Sequence, residues 1–236
     1  LIYIDPPYNT QKIQAGKNGK YNDAIKNYYK FMEERFIEAH RILAPNGSIY
    51  IHLDYREAHY IKIMMDKIFG RNNFINEIIW AYDYGGRSKR KWPTKHDTIL
   101  FYAKTKNNYI FNYNDIKRIP YMAPGLVSKE KALKGKVPTD VWWHTIVHTT
   151  GKERTGYPSQ KPIGIIERII GASSNPDDLI LDFFAGSGTT GEVAWLMGRK
   201  FIMVDNNKDA INVMRNRFDN NDIPYQFCDW SKNETT

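Results

Sequence analysis

The chain opens with a short apolar, β-prone run, Leu1-Ile2-Tyr3-Ile4, that is stopped at once by Asp5-Pro6-Pro7-Tyr8. Four residues of this kind suit a strand buried inside a parallel sheet. Pro6 and Pro7 then end it, because proline supplies no ladder N–H and restrains the residue before it. The result is a rigid turn that carries one carboxylate and one aromatic ring at a strand end. A second segment has the same form: Leu179-Ile180-Leu181 runs into Asp182-Phe183-Phe184-Ala185-Gly186-Ser187-Gly188. Open parallel sheets bind ligands beyond the carboxyl ends of their strands, so the two segments predict one shared cleft.

The rest of the chain reads as alternating strands and helices. Residues 28–43 place Tyr28, Phe31, Met32, Arg35, Phe36, Ala39, Ile42 and Leu43 at three- and four-residue spacing, which predicts a helix with one buried stripe. Strands are expected at 48–53, 77–82, 98–103, 179–181 and 201–204, and helices at 55–69, 162–172 and 190–197. Short connections between them predict an α/β fold with a parallel sheet covered on both faces, its later strands turning antiparallel at one edge. Residues 11–22 are polar and contain glycine, which reads as a mobile loop able to fold over a substrate. Between 104 and 155 periodicity weakens, and Pro120, Pro124, Gly125, Gly135 and Pro138 interrupt it, as expected of an inserted recognition region.

Composition narrows the partner. The 236 residues fit one catalytic domain with one excursion, and 42% hydrophobic content with 14% aromatics marks a folded chain. A formal charge of +8 favours an anionic partner, of which nucleic acid is the commonest. One cysteine, Cys228, excludes an internal disulfide and a thiolate zinc site. Neither a membrane-length apolar stretch nor a signal-peptide pattern is visible, so a cytoplasmic location is expected with no membrane partner. The chain begins inside a strand and without methionine, and an upstream strand is expected to precede it.

Asp5-Pro6-Pro7-Tyr8 is the DPPY signature of amino-methyltransferases that act on nucleic-acid bases, and the FxGxG segment resembles their S-adenosylmethionine loop. With DPPY first and the glycine loop last, the chain resembles the beta group of DNA amino-methyltransferases found in type II and type III restriction-modification systems, adenine-specific among them. The resemblance covers most of the chain. It implies the class I S-adenosylmethionine-dependent methyltransferase fold, a doubly wound, mostly parallel seven-stranded sheet. Residues 1–103 would then form the catalytic half, 104–155 the target-recognition insertion and 156–236 the cofactor-binding half.

The same resemblance implies roles. Asp5 and the carbonyl of Pro6 would accept the two hydrogens of a base amine, with Pro7 bracing the turn and Tyr8 stacking on the base. The cofactor would meet Asp5, Asp182, Phe184, Gly186, Gly188 and Thr189, with Asp205 on its ribose. Ser159-Gln160-Lys161-Pro162 resembles the segment that contacts the methionine carboxylate, with Ser159 donating a hydroxyl and Lys161 a charge. Asp229 lies near the end of an expected edge strand at 224–227 and could approach the cofactor adenine. The related strand lies upstream of DPPY in the family, however, so Asp229 stays out of the site.

Arg87, Lys89, Arg90, Lys91 and Lys95 lie beside Gly85-Gly86 and Trp92, a cluster suited to DNA phosphates. Lys95-His96-Asp97 resembles a late family motif lining the target pocket. Trp142 and Trp143 read as partly core, and the histidines lack metal-ligand spacing, so no metal is expected. Double-stranded DNA is the expected partner, with a homodimer and a cognate restriction enzyme left open. Cytosine N4 methylation, a catalytically decayed DNA-binding protein and a nicotinamide dehydrogenase stand as alternatives. Gly186-Ser187-Gly188-Thr189-Thr190-Gly191 also has the spacing of a dinucleotide turn, which is weak taken alone, and the last is disfavoured because the segment resembles S-adenosylmethionine loops, in which no pyrophosphate must be held.

Overall fold

The computed structural model describes residues 1–229. In chain order the elements are β1 (Ile2–Ile4), β2 (Ile13–Gly16), β3 (Gly19–Asn22), α1 (Tyr28–Ile42), β4 (Ser48–Leu53), α2 (Ala58–Met65), β5 (Phe74–Ala81) and β6 (His96–Ala103). They continue with α3 (Lys129–Lys134), β7 (Val141–Trp143), α4 (Ile163–Ser173), β8 (Leu179–Asp182), α5 (Thr189–Leu196), β9 (Lys200–Met203) and α6 (Lys208–Asn220). Seven strands form one sheet in the order β7-β5-β6-β4-β1-β8-β9. Only β6 runs against its two neighbours; the other pairings in the sheet are parallel. The expected α/β sheet of the methyltransferase type is therefore present, with β6 as its reversed strand.

Alternation along the strands divides the core in two. Ile2, Ile4, Ile49, Ile51, Leu53, Leu100 and Tyr102 face α1 and α2, while Tyr3, Tyr50, Ile99, Phe101 and Ile180 face α4 and α5. A period of two in β1, β4 and β6 thus buries both faces at once. Because β4 and β5 are both antiparallel to β6, they share a direction. The segments that follow β1, β4, β5, β8 and β9 consequently emerge at one edge of the sheet.

Several elements differ from the sequence expectation. Residues 11–22 form the β2–β3 hairpin and not a loose loop. It is fastened from far away: Asn18 N–H donates to Gly156 O at 3.1 Å, and Lys20 N–H to Asp209 Oδ2 at 3.1 Å. Close approach demands glycine here, since a Cβ at Gly16 would lie 2.4 Å from Gly156 O. α2 starts at Ala58, because Tyr55–Glu57 form a turn in which Asp54 Oδ1 accepts Arg56 N–H at 2.9 Å. Immediately after it, Asp66–Gly70 form a π-type turn.

Within 104–155 the strand β7 adds to the sheet beside β5, pairing Trp142 with Trp80. Residues 224–227 form no strand, and Tyr225 packs on Phe218 instead. α6 has no counterpart in the sequence reading. Its buried residues Ala210, Val213, Met214, Arg217 and Phe218 form only a thin stripe on a polar helix.

Candidate active site

The DPPY turn leaves β1 at the carboxyl edge and is held from three sides. Tyr28 Oη donates to Pro7 O at 2.8 Å, which fixes the proline pair. Buried Asp23 accepts Asn9 N–H at 2.9 Å and Thr10 N–H at 3.2 Å, bracing the chain where Asn9 takes a left-handed conformation (φ 53°). Asn9 Nδ2 in turn donates to Glu57 Oε1 at 3.2 Å. On the inner side Tyr8 Oη donates to Asp5 Oδ1 at 2.7 Å, and Lys161 Nζ forms an ion pair with Asp5 Oδ2.

Beneath Tyr8 lies a buried polar chain that sequence reasoning missed. The Tyr8 ring lies nearly parallel to that of His52, with centroids 6.4 Å apart and 27° between planes. His52, fully buried at the end of β4, meets Tyr3 Oη through Nδ1 at 3.0 Å and Asp97 Oδ2 through Nε2 at 3.2 Å. Tyr82 Oη completes the chain at Asp97 Oδ1, 3.1 Å away. Burial alone would raise the Asp97 carboxyl, but the His52 hydrogen bond, its charge and Lys161 hold it below its ordinary value. Asp97 thus reaches the site through His52 and does not itself line the cleft, contrary to the reading of Lys95-His96-Asp97 as pocket wall.

The glycine turn follows β8. Asp182, buried at the strand end, accepts Phe184 N–H at 3.0 Å and the Thr190 hydroxyl at 2.7 Å, so its carboxyl group braces the turn. Burial pushes its carboxyl up to about 7, against the lowering effect of these two bonds. Gly186 adopts φ 50°, and its N–H donates to Asp205 Oδ2 at 2.8 Å, locking the turn to the end of β9. Asn207 N–H occupies Asp205 Oδ1 at 2.9 Å, and burial raises this carboxyl despite both donors. Gly188 lies outside the cleft lining and seats α6 instead, since at φ 77° a Cβ there would sit 2.6 Å from Met214 Cγ.

Arg217 of α6 clamps the start of α5. It pairs with Glu192 and donates through Nη1 to Thr189 Oγ1 at 2.7 Å and Ser187 O at 3.2 Å. Thr189 is therefore engaged from below by a residue that no sequence motif marks. The third wall is the Ser159–Lys161 segment, in which Ser159 has φ 60° and its Oγ accepts Tyr21 Oη at 3.3 Å. Tyr21 stacks on Tyr157 with centroids 6.2 Å apart, so the hairpin closes this side. Lys161 Nζ is engaged by Asp5 and by Ser159 O at 3.2 Å.

These walls enclose a cleft of about 790 Å³ lined by Asp5, Pro6, Pro7, Tyr8, Ser159, Lys161, Asp182, Phe184, Gly186, Thr189 and Asp205. The two motifs, far apart in the chain, thus meet. Arg87, Lys89, Arg90 and Lys91 stand apart on the exposed loop between β5 and β6. Lys95 is turned inward, its Nζ donating to Tyr84 O and Gly85 O at 2.8 Å each, and so closes that loop at its root. Trp142 is buried and Trp143 exposed. Among the described residues there is no group of three or more His, Cys, Asp or Glu able to hold a metal, and no helix long and apolar enough to cross a membrane.

A seven-stranded sheet with an acid–proline turn and a glycine turn in one cleft defines a methyl-transferring α/β enzyme. Residues 1–216 match the N6_N4_Mtase family, described as DNA methylase. The type II methyltransferase M.HpaI of Haemophilus parainfluenzae is 35% identical, over 93% of this chain and 68% of that protein. The DNA adenine methyltransferase YhdJ of Escherichia coli (strain K12) is 34% identical, over 93% of this chain and 76% of its own. In fold, the PvuII cytosine-N4-specific DNA methyltransferase superposes with a TM-score of 0.68 at 18% identity, covering 98% of this chain and 82% of that one. The chain belongs to the N6_N4_Mtase family of DNA methylases. It is an S-adenosylmethionine-dependent DNA methyltransferase.

The cleft fits that cofactor by its donor set. Its volume suits one such ligand, and apolar walls with a few convergent polar groups are what a cofactor site requires. Asp205 offers acceptor oxygens, Lys161 a cation and the Gly186 turn exposed backbone.

Proposed function

We propose that this enzyme methylates the exocyclic N6 amine of adenine in duplex DNA, at a short specific sequence, after the base has been swung out of the stack. The observation that carries the reading is the shared cleft: Asp5, Pro6 and Tyr8 face the same cavity as Gly186 and Asp205. Support for adenine comes from the adenine methyltransferase description of the Escherichia coli relative. The type II description of the Haemophilus relative supports a restriction-modification setting, with a cognate restriction enzyme as further partner.

S-adenosylmethionine supplies an electrophilic methyl group on a sulfonium. An exocyclic amine is a poor nucleophile because its lone pair is delocalised into the ring. Asp5 and the Pro6 carbonyl accept its two hydrogens and draw density back onto nitrogen, while Tyr8 holds the ring plane. Methyl transfer to that nitrogen would release one amine proton, which Asp5 and the Pro6 carbonyl are placed to receive. Tyr28 and Asp23 hold the turn so that these acceptors need little reorganisation. Asp205 would hold the ribose, and Ser159 and Lys161 the methionine end, with Lys161 exchanging its Asp5 partner for the carboxylate. Arg87, Lys89, Arg90 and Lys91 contact phosphates in this reading, and 104–155 reads base edges.

Incubation with labelled cofactor and duplex DNA, followed by nucleoside analysis, tests the proposal. N6-methyladenine is expected. N4-methylcytosine alone contradicts the adenine assignment, and a folded, cofactor-binding protein that labels no DNA contradicts the function.

A further inference from the structure

The loop between β5 and β6 combines a rigid root with an unusual tip. Its root is closed by Tyr82 N–H donating to Lys95 O at 2.9 Å and by the two carbonyls that Lys95 Nζ holds. Tyr82 also joins Asp97 and, through it, the His52 ring under Tyr8. The loop therefore rises from the catalytic edge with its base tied into the buried chain beneath the DPPY turn. Beyond the root every residue from Asp83 to Trp92 is exposed, with Arg87, Lys89, Arg90 and Lys91 supplying four positive charges.

Trp92 is 93% exposed, whereas Trp80 and Trp142 are buried. An indole left in water forgoes apolar burial, and among the described residues no aromatic or cationic contact holds it. The cations beside it point to a polyanionic partner, and the flat ring to a stacked one; duplex DNA has both properties. Extruding a nucleotide leaves a gap in the stack, and apolar side chains inserted at such steps hold the duplex open.

We propose that Trp92 is the residue that enters the duplex when the target base swings into the cleft. Its indole fills the gap between neighbouring bases while Arg87, Lys89, Arg90 and Lys91 hold the flanking phosphates. This deepens the methyltransferase reading above and rests on it. Trp92 touches DNA but not the reacting atoms, so its effect is on opening the duplex and not on the methyl step.

The test compares Trp92→Ala and Trp92→Phe with the unaltered enzyme on two duplexes carrying the methylated site, one fully paired and one with the target base mispaired. On the paired duplex, loss of one stacking contact should lower affinity and turnover about tenfold in Trp92→Ala, with Trp92→Phe recovering most of it. On the mispaired duplex, where unstacking is already cheap, the deficit should shrink to about twofold. Cofactor affinity should match the unaltered enzyme throughout. Equal behaviour of Trp92→Ala and the unaltered enzyme on the paired duplex overturns the inference, as does a deficit of the same size on both duplexes. An unaltered enzyme that methylates neither duplex overturns the parent reading and this inference together, an outcome distinct from an indifferent Trp92.

Discussion

Lys161 and Asp5, separated by 156 positions, form a part-buried ion pair that joins the cofactor segment to the catalytic turn. The pair lies in the cleft, with the Tyr8 hydroxyl on the other Asp5 oxygen. Each partner is the other's counter-charge in a place where neither is well hydrated. Removing one should therefore cost more than removing both.

Lys161→Met is expected to destabilise the protein by about 3 kcal/mol, because it strands the Asp5 carboxylate. The double variant Lys161→Met, Asp5→Asn should recover much of that loss while remaining inactive. Denaturant unfolding of the three proteins checks this, and additive losses would contradict the pairing.

Asp182 makes stability depend on pH in a direction opposite to that of most carboxylates. Its folded value is pushed to about 7, above the unfolded one, so its contribution is complete below the unfolded value near 4 and is lost as pH rises toward 7. The full span is about 4 kcal/mol at 1.36 kcal/mol per unit. Asp182→Asn keeps a carbonyl for Phe184 N–H, and Thr190 can reverse to accept from the amide. The variant should gain stability relative to the unaltered protein as pH rises from about 4 to about 7, and keep that margin at higher pH. Asp97, held below its ordinary value, acts the other way and only in more acid solution. A pH-independent difference between Asp182→Asn and the unaltered protein would refute the buried, protonated Asp182.

His52 is expected to act as a positioning residue for Tyr8. His52→Leu removes a hydrogen-bond partner from both Tyr3 and Asp97, which should destabilise the fold by about 2–4 kcal/mol. His52→Gln, which retains polar contacts, should fold better. In that variant kcat should fall about tenfold with cofactor affinity unchanged, as expected when only the geometry of the reacting turn is loosened. An unaltered kcat would show that the His52 ring does not govern Tyr8.

Arg217 supports the cofactor turn from behind. Arg217→Lys keeps a charge for Glu192 but cannot reach Ser187 and Thr189 at once, because an ammonium lacks the guanidinium fork. Calorimetry should show S-adenosylmethionine affinity reduced by up to about thirtyfold, the equivalent of two hydrogen bonds of roughly 1 kcal/mol each. Full affinity in Arg217→Lys would mean that the α5 entrance holds its shape without the clamp.

What can be read in the sequence is local or strongly periodic. Leu1–Ile4 and Leu179–Leu181 are continuous apolar runs, and their terminal acids fall at the strand ends as expected. The helix at 28–43 carries a broad stripe, and it forms as Tyr28–Ile42. What is not legible depends on distant partners. The β2–β3 hairpin is polar and becomes ordered only because Gly156, Tyr157, Asn207 and Asp209 hold it. His52 sits in an apolar run and has no motif; its meaning comes from Tyr3 and Asp97 on neighbouring strands. Gly188 resembles its neighbour Gly186 in sequence, yet the contact that demands it is with Met214 in a helix that composition alone does not reveal.

The most direct measurement is single-turnover transfer of labelled methyl to duplex DNA by Asp5→Ala, with cofactor and DNA both saturating. Loss of an acceptor present in the transition state predicts a rate lower by about a thousandfold or more, with S-adenosylmethionine still bound. A rate within about threefold of the unaltered enzyme would contradict the role of the acid–proline turn, on which the chemistry of this cleft depends.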